Sequence, residues 1–211
     1  MIWDREAETA SRPAMRALQD ERLRATVARA RARVPFYRDA LAAAGVKDEA
    51  VTLDRLAELP FTVKEDLRRH YPFGLFAVPR EEVIRIHASS GTKGKPTVVG
   101  YTRHDLRIWR EVMARALAAA GAEPGQLIQI AYGYGLFTGG LGFHDGAEHM
   151  GLTVVPVSSG NTLRQMLLLQ DFHPQGLACT PSFALHIGET VPNVWFMALF
   201  WVGAFVMRGA G

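Results

Sequence analysis

An α/β fold with a helical lead-in is predicted from three observations. Residues 12–44 carry apolar side chains at helical spacing, and residues 83–101 hold two short β-branched runs flanking a glycine-, hydroxyl- and lysine-rich loop. From residue 102 to residue 181, helical patterns alternate with short apolar strands. Strand–helix–strand alternation with short connections implies a parallel, right-handed βαβ layer. With 48% hydrophobic and 21% charged residues, a chain of 211 residues can build a core and is not disordered.

The lead-in, residues 1–80, is expected to be mostly helical. Met15, Leu18, Leu23, Val27, Ala30 and Val34 keep rough helical spacing, Pro35 should interrupt the helix, and Gly45 should end its second piece. Thr62 and Glu65 stand at capping-box spacing and predict a second helix start. Val83–His87 and Thr97–Tyr101 read as strands, paired antiparallel across the loop between them.

Within the α/β region, residues 81–190, Thr102 is a candidate N-cap with Asp105 near the positive end of the helix dipole. Gly121 suits the residue just past that helix's end. Strands follow at Leu127–Tyr132, Thr153–Val157 and Leu177–Thr180, the last closed by Pro181. Helices are expected over Gly142–Met150 and from Thr162, where Thr162 and Gln165 give another capping box.

The net charge of +3 is uneven: 21 basic against 15 acidic residues through residue 110, then 3 against 6. Most of the excess lies at Arg22, Arg24, Arg29, Arg31, Arg33 and Arg38, which recur on a helical pattern without interleaved aromatics. That pattern reads as a solvated helix face and not as a nucleic-acid groove. The single cysteine, Cys179, lies in an apolar strand and reads as a buried structural thiol, with no disulfide framework and no cysteine metal cage. The N-terminus is charged and lacks a signal-peptide core, so the expected compartment is the cytoplasm.

Residues 191–211 carry one charge, Arg208, and include a 14-residue apolar run from Val194 to Met207. The run is shorter than the ~18–20 residues that span a bilayer. The expectation is an atypical tail from a truncated or frame-shifted chain, with a membrane anchor as the second reading.

Ser89-Ser90-Gly91-Thr92-Lys93-Gly94-Lys95-Pro96 has the composition of a loop that wraps a polyphosphate. Glycines let backbone N–H groups approach phosphate oxygens, hydroxyls donate, and ammonium groups neutralise charge. It is not a Walker loop: Pro96 follows Gly94-Lys95, Gly91 sits only three residues before Gly94, and a strand rather than a helix follows. Ala131 to Gly140 forms a glycine-rich floor carrying Tyr132, Tyr134 and Phe137 at the end of a parallel strand, where α/β folds bind ligands. Those aromatics read equally as ordinary core. His144 and Glu148 are four apart on a helix and could share a face, but His149 is rotated away, so no metal site is expected. His87, beside the loop, could touch a nucleotide or close the strand end.

Five stretches together resemble the adenylate-forming ligases, and more narrowly the phenylacetate–coenzyme A ligase family. They are Leu59 to Leu67, Tyr71 to Pro79, Arg85 to Thr102, Ala131 to His144 and Cys179 to Leu185, within a resemblance extending from Gln19 to about Glu189. The resemblance implies the N-terminal part of an adenylate-forming enzyme's large domain, truncated before its C-terminal lid. It implies ATP, Mg²⁺ and coenzyme A as the intact enzyme's co-substrates and phenylacetate as the acid, with another aryl acid or a deazaflavin cofactor as the alternative. It also implies that Ser89, Ser90, Gly91, Thr92, Gly94 and Lys95 hold the nucleotide phosphates, and that Tyr132, Gly135, Phe137, Thr138 and Gly139 bind the acid. Lys93 departs from the family, which usually has threonine there. The adenine motif, ribose-binding aspartate and adenylation lysine are expected beyond residue 211, so no catalytic residue is assigned and the chain is expected to be an inactive fragment. A non-catalytic nucleotide-binding or pairing fragment is the remaining alternative. Neither a nucleic-acid nor a membrane partner is expected, and a homodimer is left open.

Overall fold

The computed structural model describes residues 1–89 and 94–189, and the backbone of 190, 196–199 and 204–208. The chain divides into two compact units, Arg5–Arg103 and Met1–Asp4 with His104–Gly211.

In the first unit, α1 (Arg5–Glu8), α2 (Arg12–Arg33) and α3 (Pro35–Ala43) form the helical lead-in. The Ser11 hydroxyl caps α2, accepting the Ala14 N–H at 3.3 Å. Pro35 divides α2 from α3 as the sequence predicts. Val34 is forced into extended backbone (φ −121°, ψ 107°) because the proline ring forbids a helical residue before it, and Pro35 then opens the first turn of α3. Val27, Leu41 and Val51 form the core of this part, with Leu23, Val46 and Leu59 packed on it.

The predicted Thr62–Glu65 cap is one residue out of register. The helix is α4 (Lys64–Arg69), and the Asp66 carboxylate accepts the Val63 backbone N–H at 3.0 Å. Thr62 instead donates its hydroxyl to the Tyr37 oxygen at 3.3 Å, and Glu65 pairs with Arg68 at 3.6 Å. Both acids suit the positive first turn, so spacing alone did not choose between them. β1 (Arg85–Ala88) and β2 (Val98–Tyr101) form the expected antiparallel ribbon, in register from Arg85 opposite Tyr101 to Ala88 opposite Val98. The Phe76 ring lies over this ribbon so closely that a Cβ on Gly100 would sit 2.7 Å from it.

In the second unit, α5 (Arg103–Ala119) ends where predicted. Gly121 adopts φ +93°, donating to the Ala118 carbonyl at 3.0 Å while Ala122 donates to Leu117 at 2.9 Å. This is the closure that a glycine just past a helix end makes cheap. Then follow β3 (Leu127–Ile130), α6 (Gly139–Met150), β4 (Thr153–Val155), α7 (Thr162–Phe172), β5 (Gly176–Cys179) and α8 (Pro181–Thr190). α6 starts three residues earlier than its pattern suggests, taking in Gly139 and Gly140. β3 lies between β4 and β5, parallel to both. Ala114, Leu117 and Ala118 of α5, Ile128 and Ile130 of β3, and Ala147 and Met150 of α6 make the main core, with Trp3 from the N-terminal segment packed on it.

The cap of α7 is also shifted by one. Asn161 is the cap, accepting the Arg164 N–H at 3.1 Å, and Gln165 turns inward instead. It is fully buried, and its side-chain oxygen accepts from the Gln129 amide at 2.8 Å. An asparagine at φ +44° fits the backbone here better than threonine could.

β6 (Phe196–Leu199) and β7 (Ala204–Arg208) extend the sheet antiparallel, β7 beside β5 and β6 beside β7. The side chains of the apolar run lie outside the described residues. Among the described residues no helix is long and apolar enough to cross a membrane.

Candidate nucleotide and acid sites

The β1–β2 ribbon holds the phosphate-type loop by its neck. Ser89 N–H donates to the Thr97 carbonyl at 3.0 Å, and Thr97 N–H donates to the Ser89 hydroxyl oxygen at 3.0 Å. Accepting in this way leaves the Ser89 proton available to a second acceptor. Ser90, Gly91, Thr92 and Lys93 lie outside the described residues. Gly94 has φ +94° with open space where a Cβ would point, so its glycine is required by backbone conformation and not by crowding.

Lys95 folds back. Its ammonium stands 5.3 Å from the centre of the Tyr71 ring, a cation–π contact that parks the charge beside the loop neck. Nothing in the sequence connects Tyr71 with Lys95; the pairing is legible only once the ribbon has formed. His87 is buried, 2% exposed, with its ring edge-on to Tyr101 at 5.6 Å, so it closes the ribbon from inside.

The glycine-aromatic turn leaves the C-terminal end of β3 in the other compact unit. Tyr132 points across the sheet: its hydroxyl donates to the Cys179 carbonyl at 2.8 Å, and its ring stacks on Phe143 at 5.4 Å with only 5° between planes. Burial raises its pKa, with the neighbouring Cys179 adding to the effect. Gly139 and Gly140 are packing glycines. A Cβ on Gly139 would meet the Tyr132 ring at 3.2 Å, and one on Gly140 would press to 2.7 Å from the Gly133 carbonyl oxygen. Gly135, by contrast, faces open space, and Leu136 and Phe137 are 57% and 63% exposed. Thr138 occupies the cap position of α6 without giving it a side-chain hydrogen bond. The predicted acid-binding residues thus separate into a packed base, Tyr132 and Gly139, and an open rim, Gly135 and Phe137.

A second layer of residues, which the sequence does not announce, stands behind the turn. Tyr134 N–H reaches the Ser158 hydroxyl at 3.4 Å, and Ser158 N–H donates to the Ile130 carbonyl at 3.0 Å. Gln165 holds the Ser158 carbonyl through its side-chain amide. The Ser158-Ser159-Gly160-Asn161 cluster marks a loop in the sequence, but nothing there says which turn it supports. Burial pushes the Cys179 thiol up to about 12, opposed by a backbone hydrogen bond at Ala184. A thiol held protonated is no nucleophile.

His144 and Glu148 do share a face of α6, as their spacing predicts, but they bond to each other at 2.9 Å. His149 instead meets Glu111 at 3.0 Å, with Trp3 edge-on to its ring. Among the described residues no three histidine, cysteine or acidic side chains gather to hold a metal.

No family model matches the chain. It is 60% identical over 190 residues to a phenylacetate-coenzyme A ligase of Thermus thermophilus, covering 90% of this chain and 43% of that protein. It is 56% identical over 181 residues to the Aromatoleum evansii phenylacetate-coenzyme A ligase, covering 85% and 41%. The Escherichia coli K12 phenylacetate-coenzyme A ligase is 53% identical over 183 residues, covering 86% and 42%. Among solved structures, a 2-hydroxyisobutyryl-CoA ligase in complex with 2-HIB-AMP and CoA superimposes with a TM-score of 0.83 at 31% identity, over 89% of this chain and 42% of that one. An open conformation of such a ligase gives 0.82 at 30% identity, over 89% and 45%. The chain spans about two fifths of the length of the curated relatives it matches. With more than half of the aligned residues identical to theirs and the fold of the matching part of a CoA ligase, it belongs to the phenylacetate–coenzyme A ligase family as a portion of a family chain.

Proposed function

We propose that this chain supplies the phosphate-gripping loop and the aryl-acid floor of an ATP-dependent phenylacetate–coenzyme A ligase. The observation that carries the reading is the 51–60% identity to four phenylacetate-coenzyme A ligases over 85–90% of the chain. The geometry supports it: a clamped hairpin presents the loop, and a parallel strand runs directly into an open glycine-aromatic rim.

In the reaction, a carboxylate oxygen attacks the α-phosphorus of ATP, the bond to pyrophosphate breaks, and an acyl-adenylate remains. The coenzyme A thiolate then attacks the acyl carbon and AMP leaves. Repulsion between the anionic acid and the anionic nucleotide is the main obstacle, so the protein's work is to position both and disperse charge. Ser89, Ser90, Gly91, Thr92, Gly94 and Lys95 would grip the β- and γ-phosphates through N–H, hydroxyl and ammonium groups. Gly135 and Gly139 would let the flat ring lie against backbone, with Tyr132, Phe137 and Thr138 around it. Mg²⁺ would enter with the nucleotide phosphates that carry it. The substrates are those of cytoplasmic metabolism, and a homodimer is the assembly to be tested by light scattering.

Calorimetric titration of the 1–211 chain with Mg²⁺-ATP and, separately, with phenylacetate tests the two assignments. Saturable binding of both is expected, with Lys95→Ala weakening ATP alone and Phe137→Ala weakening phenylacetate alone. Absence of either binding removes the corresponding assignment. Substituting other aryl acids in the same titration decides the acid.

A further inference from the structure

We propose that Tyr134, His144 and Glu148 form a positioning chain that fixes the shape of the acid-binding turn and so sets its affinity for an aryl carboxylate. The inference rests on the reading that this turn binds the acid.

The three groups are connected in order. Glu148 Oε1 lies 2.9 Å from His144 Nε2, and His144 Nδ1 lies 3.2 Å from the Tyr134 hydroxyl. A carboxylate only accepts, so Nε2 of the neutral ring carries the proton, Nδ1 offers a lone pair, and the Tyr134 O–H donates to it. The rings of Tyr134 and His144 meet edge-on, 5.7 Å apart at 87°. Burial, with the charges of Glu148 and Asp145 adding to it, pushes the Tyr134 phenol up to about 12, so it stays a donor throughout the physiological range. The spacing of four residues puts His144 and Glu148 on one face of α6, so the helix itself fixes the acceptor.

What this chain supports is an exposed rim. Gly135 has no neighbour within 4 Å of where a Cβ would stand, and Leu136 and Phe137 are exposed. Tyr134, the residue just before them, is anchored at both ends. Its backbone N–H reaches Ser158, whose carbonyl Gln165 holds from α7, and its side chain reaches α6 through His144. The rim therefore leaves Tyr134 in a direction set by two elements. None of the three residues need touch the acid; they determine where Phe137 and the glycine backbone stand to meet it. The same two residues that suggested a metal ligand pair in the sequence are committed to this chain.

The test uses the 1–211 chain and its His144→Phe, Glu148→Ala and Glu148→Gln variants, titrated with phenylacetate and with Mg²⁺-ATP. His144→Phe and Glu148→Ala should weaken phenylacetate roughly threefold to tenfold, the worth of one hydrogen bond. Glu148→Gln, whose amide oxygen still accepts, should recover most of the loss, and ATP affinity should not change in any variant. Histidine ¹⁵N spectra should show the His144 proton on Nε2 in the native chain and a shift toward the Nδ1 form in Glu148→Ala. Native binding with unchanged affinity in both His144→Phe and Glu148→Ala overturns this inference and leaves the acid-site reading standing. No phenylacetate binding by the native chain overturns the reading and this inference with it. Because Glu148 is exposed, its variants should stay folded if His144→Phe does not.

Discussion

The loop neck on the β1–β2 ribbon is held by two hydrogen bonds between Ser89 and Thr97, whereas the turn after β3 is held by packing from three elements. On the ribbon, glycine at 94 serves conformation and has empty space beside it. Behind the turn, glycines serve contact: Gly142 lies against Trp109 and Gly146 against Met113, at distances where a Cβ would sit 2.8 and 2.4 Å from the neighbouring side chain. A phosphate loop must close on a large, flexible, charged ligand, so a hydrogen-bonded neck with an uncrowded glycine suits it. An aryl acid is small and flat, and its site gains from a floor that does not move.

The largest expected effect tests that floor. Gly146→Ala forces α5 and α6 apart, since the Met113 atom in the way is the Cβ at the root of its side chain, and should cost about 2–3 kcal/mol of stability in thermal unfolding. Gly94→Ala, with only backbone strain to bear, should cost about 1 kcal/mol. Equal losses at the two positions would erase the distinction between a contact glycine and a conformational one.

Cys179 sharpens the same contrast through pH. Its thiol is pushed up to about 12 in the fold, above its value in an unfolded chain, because burial disfavours the thiolate. A raised acid of this kind leaves stability untouched below the unfolded value near 8.5–9. Above it the unfolded state loses a proton that the native state keeps, so stability falls as pH rises toward 12. Alkylation by iodoacetamide at pH 8 should be on the order of 10³-fold slower in the native chain than in urea. Rapid native labelling would mean that the sheet behind the floor opens readily.

Much of this organisation was legible in the sequence. Pro35 split the lead-in, β-branched runs around a Gly/Lys loop gave the ribbon, and Gly121 ended α5, because each acts through its own backbone or its immediate neighbours. The parallel pairing of β3 with β4 and β5 followed from alternation, though their order in the sheet did not. Caps were read one residue off at both Thr62 and Thr162. At Thr162 the adjacent Asn161 offered equally good capping chemistry, and at Thr62 the choice lay between the adjacent acids Glu65 and Asp66; tertiary needs decided, Thr62 being drawn to Tyr37 and Gln165 inward to Gln129. The Tyr134–His144 link and the Lys95–Tyr71 contact were not legible. Each joins residues whose meeting depends on how a turn or ribbon is folded back, which spacing does not encode.

A smaller effect is expected at the loop neck. Ser89→Ala removes the acceptor of the Thr97 N–H while keeping the backbone bond in the other direction, and should cost about 1 kcal/mol. If the clamp matters for the nucleotide, ATP affinity should fall by more than stability does, because the hydroxyl proton is lost as well. Ser89→Thr retains the oxygen and should separate the two contributions. An ATP affinity unchanged in Ser89→Ala would show the neck to be structural only.

The smallest effect concerns the parked ammonium. Lys95 lies 5.3 Å from the Tyr71 ring centre, and Tyr71 is 37% exposed, so solvent screens the contact to about 0.5–1 kcal/mol. Its interest lies in direction. A lysine that must leave the ring to meet a phosphate gives up the contact on binding, so Tyr71→Leu should leave stability nearly unchanged and tighten ATP by roughly twofold to fivefold. A lysine that serves the phosphate from where it stands loses its orientation in that variant, and ATP binding then weakens. Lys95→Met should abolish the response to Tyr71→Leu in both cases, which confines the effect to this pair. The sign of one titration therefore decides whether the ribbon's cation is stored or already aimed, and on the packed floor no such choice exists.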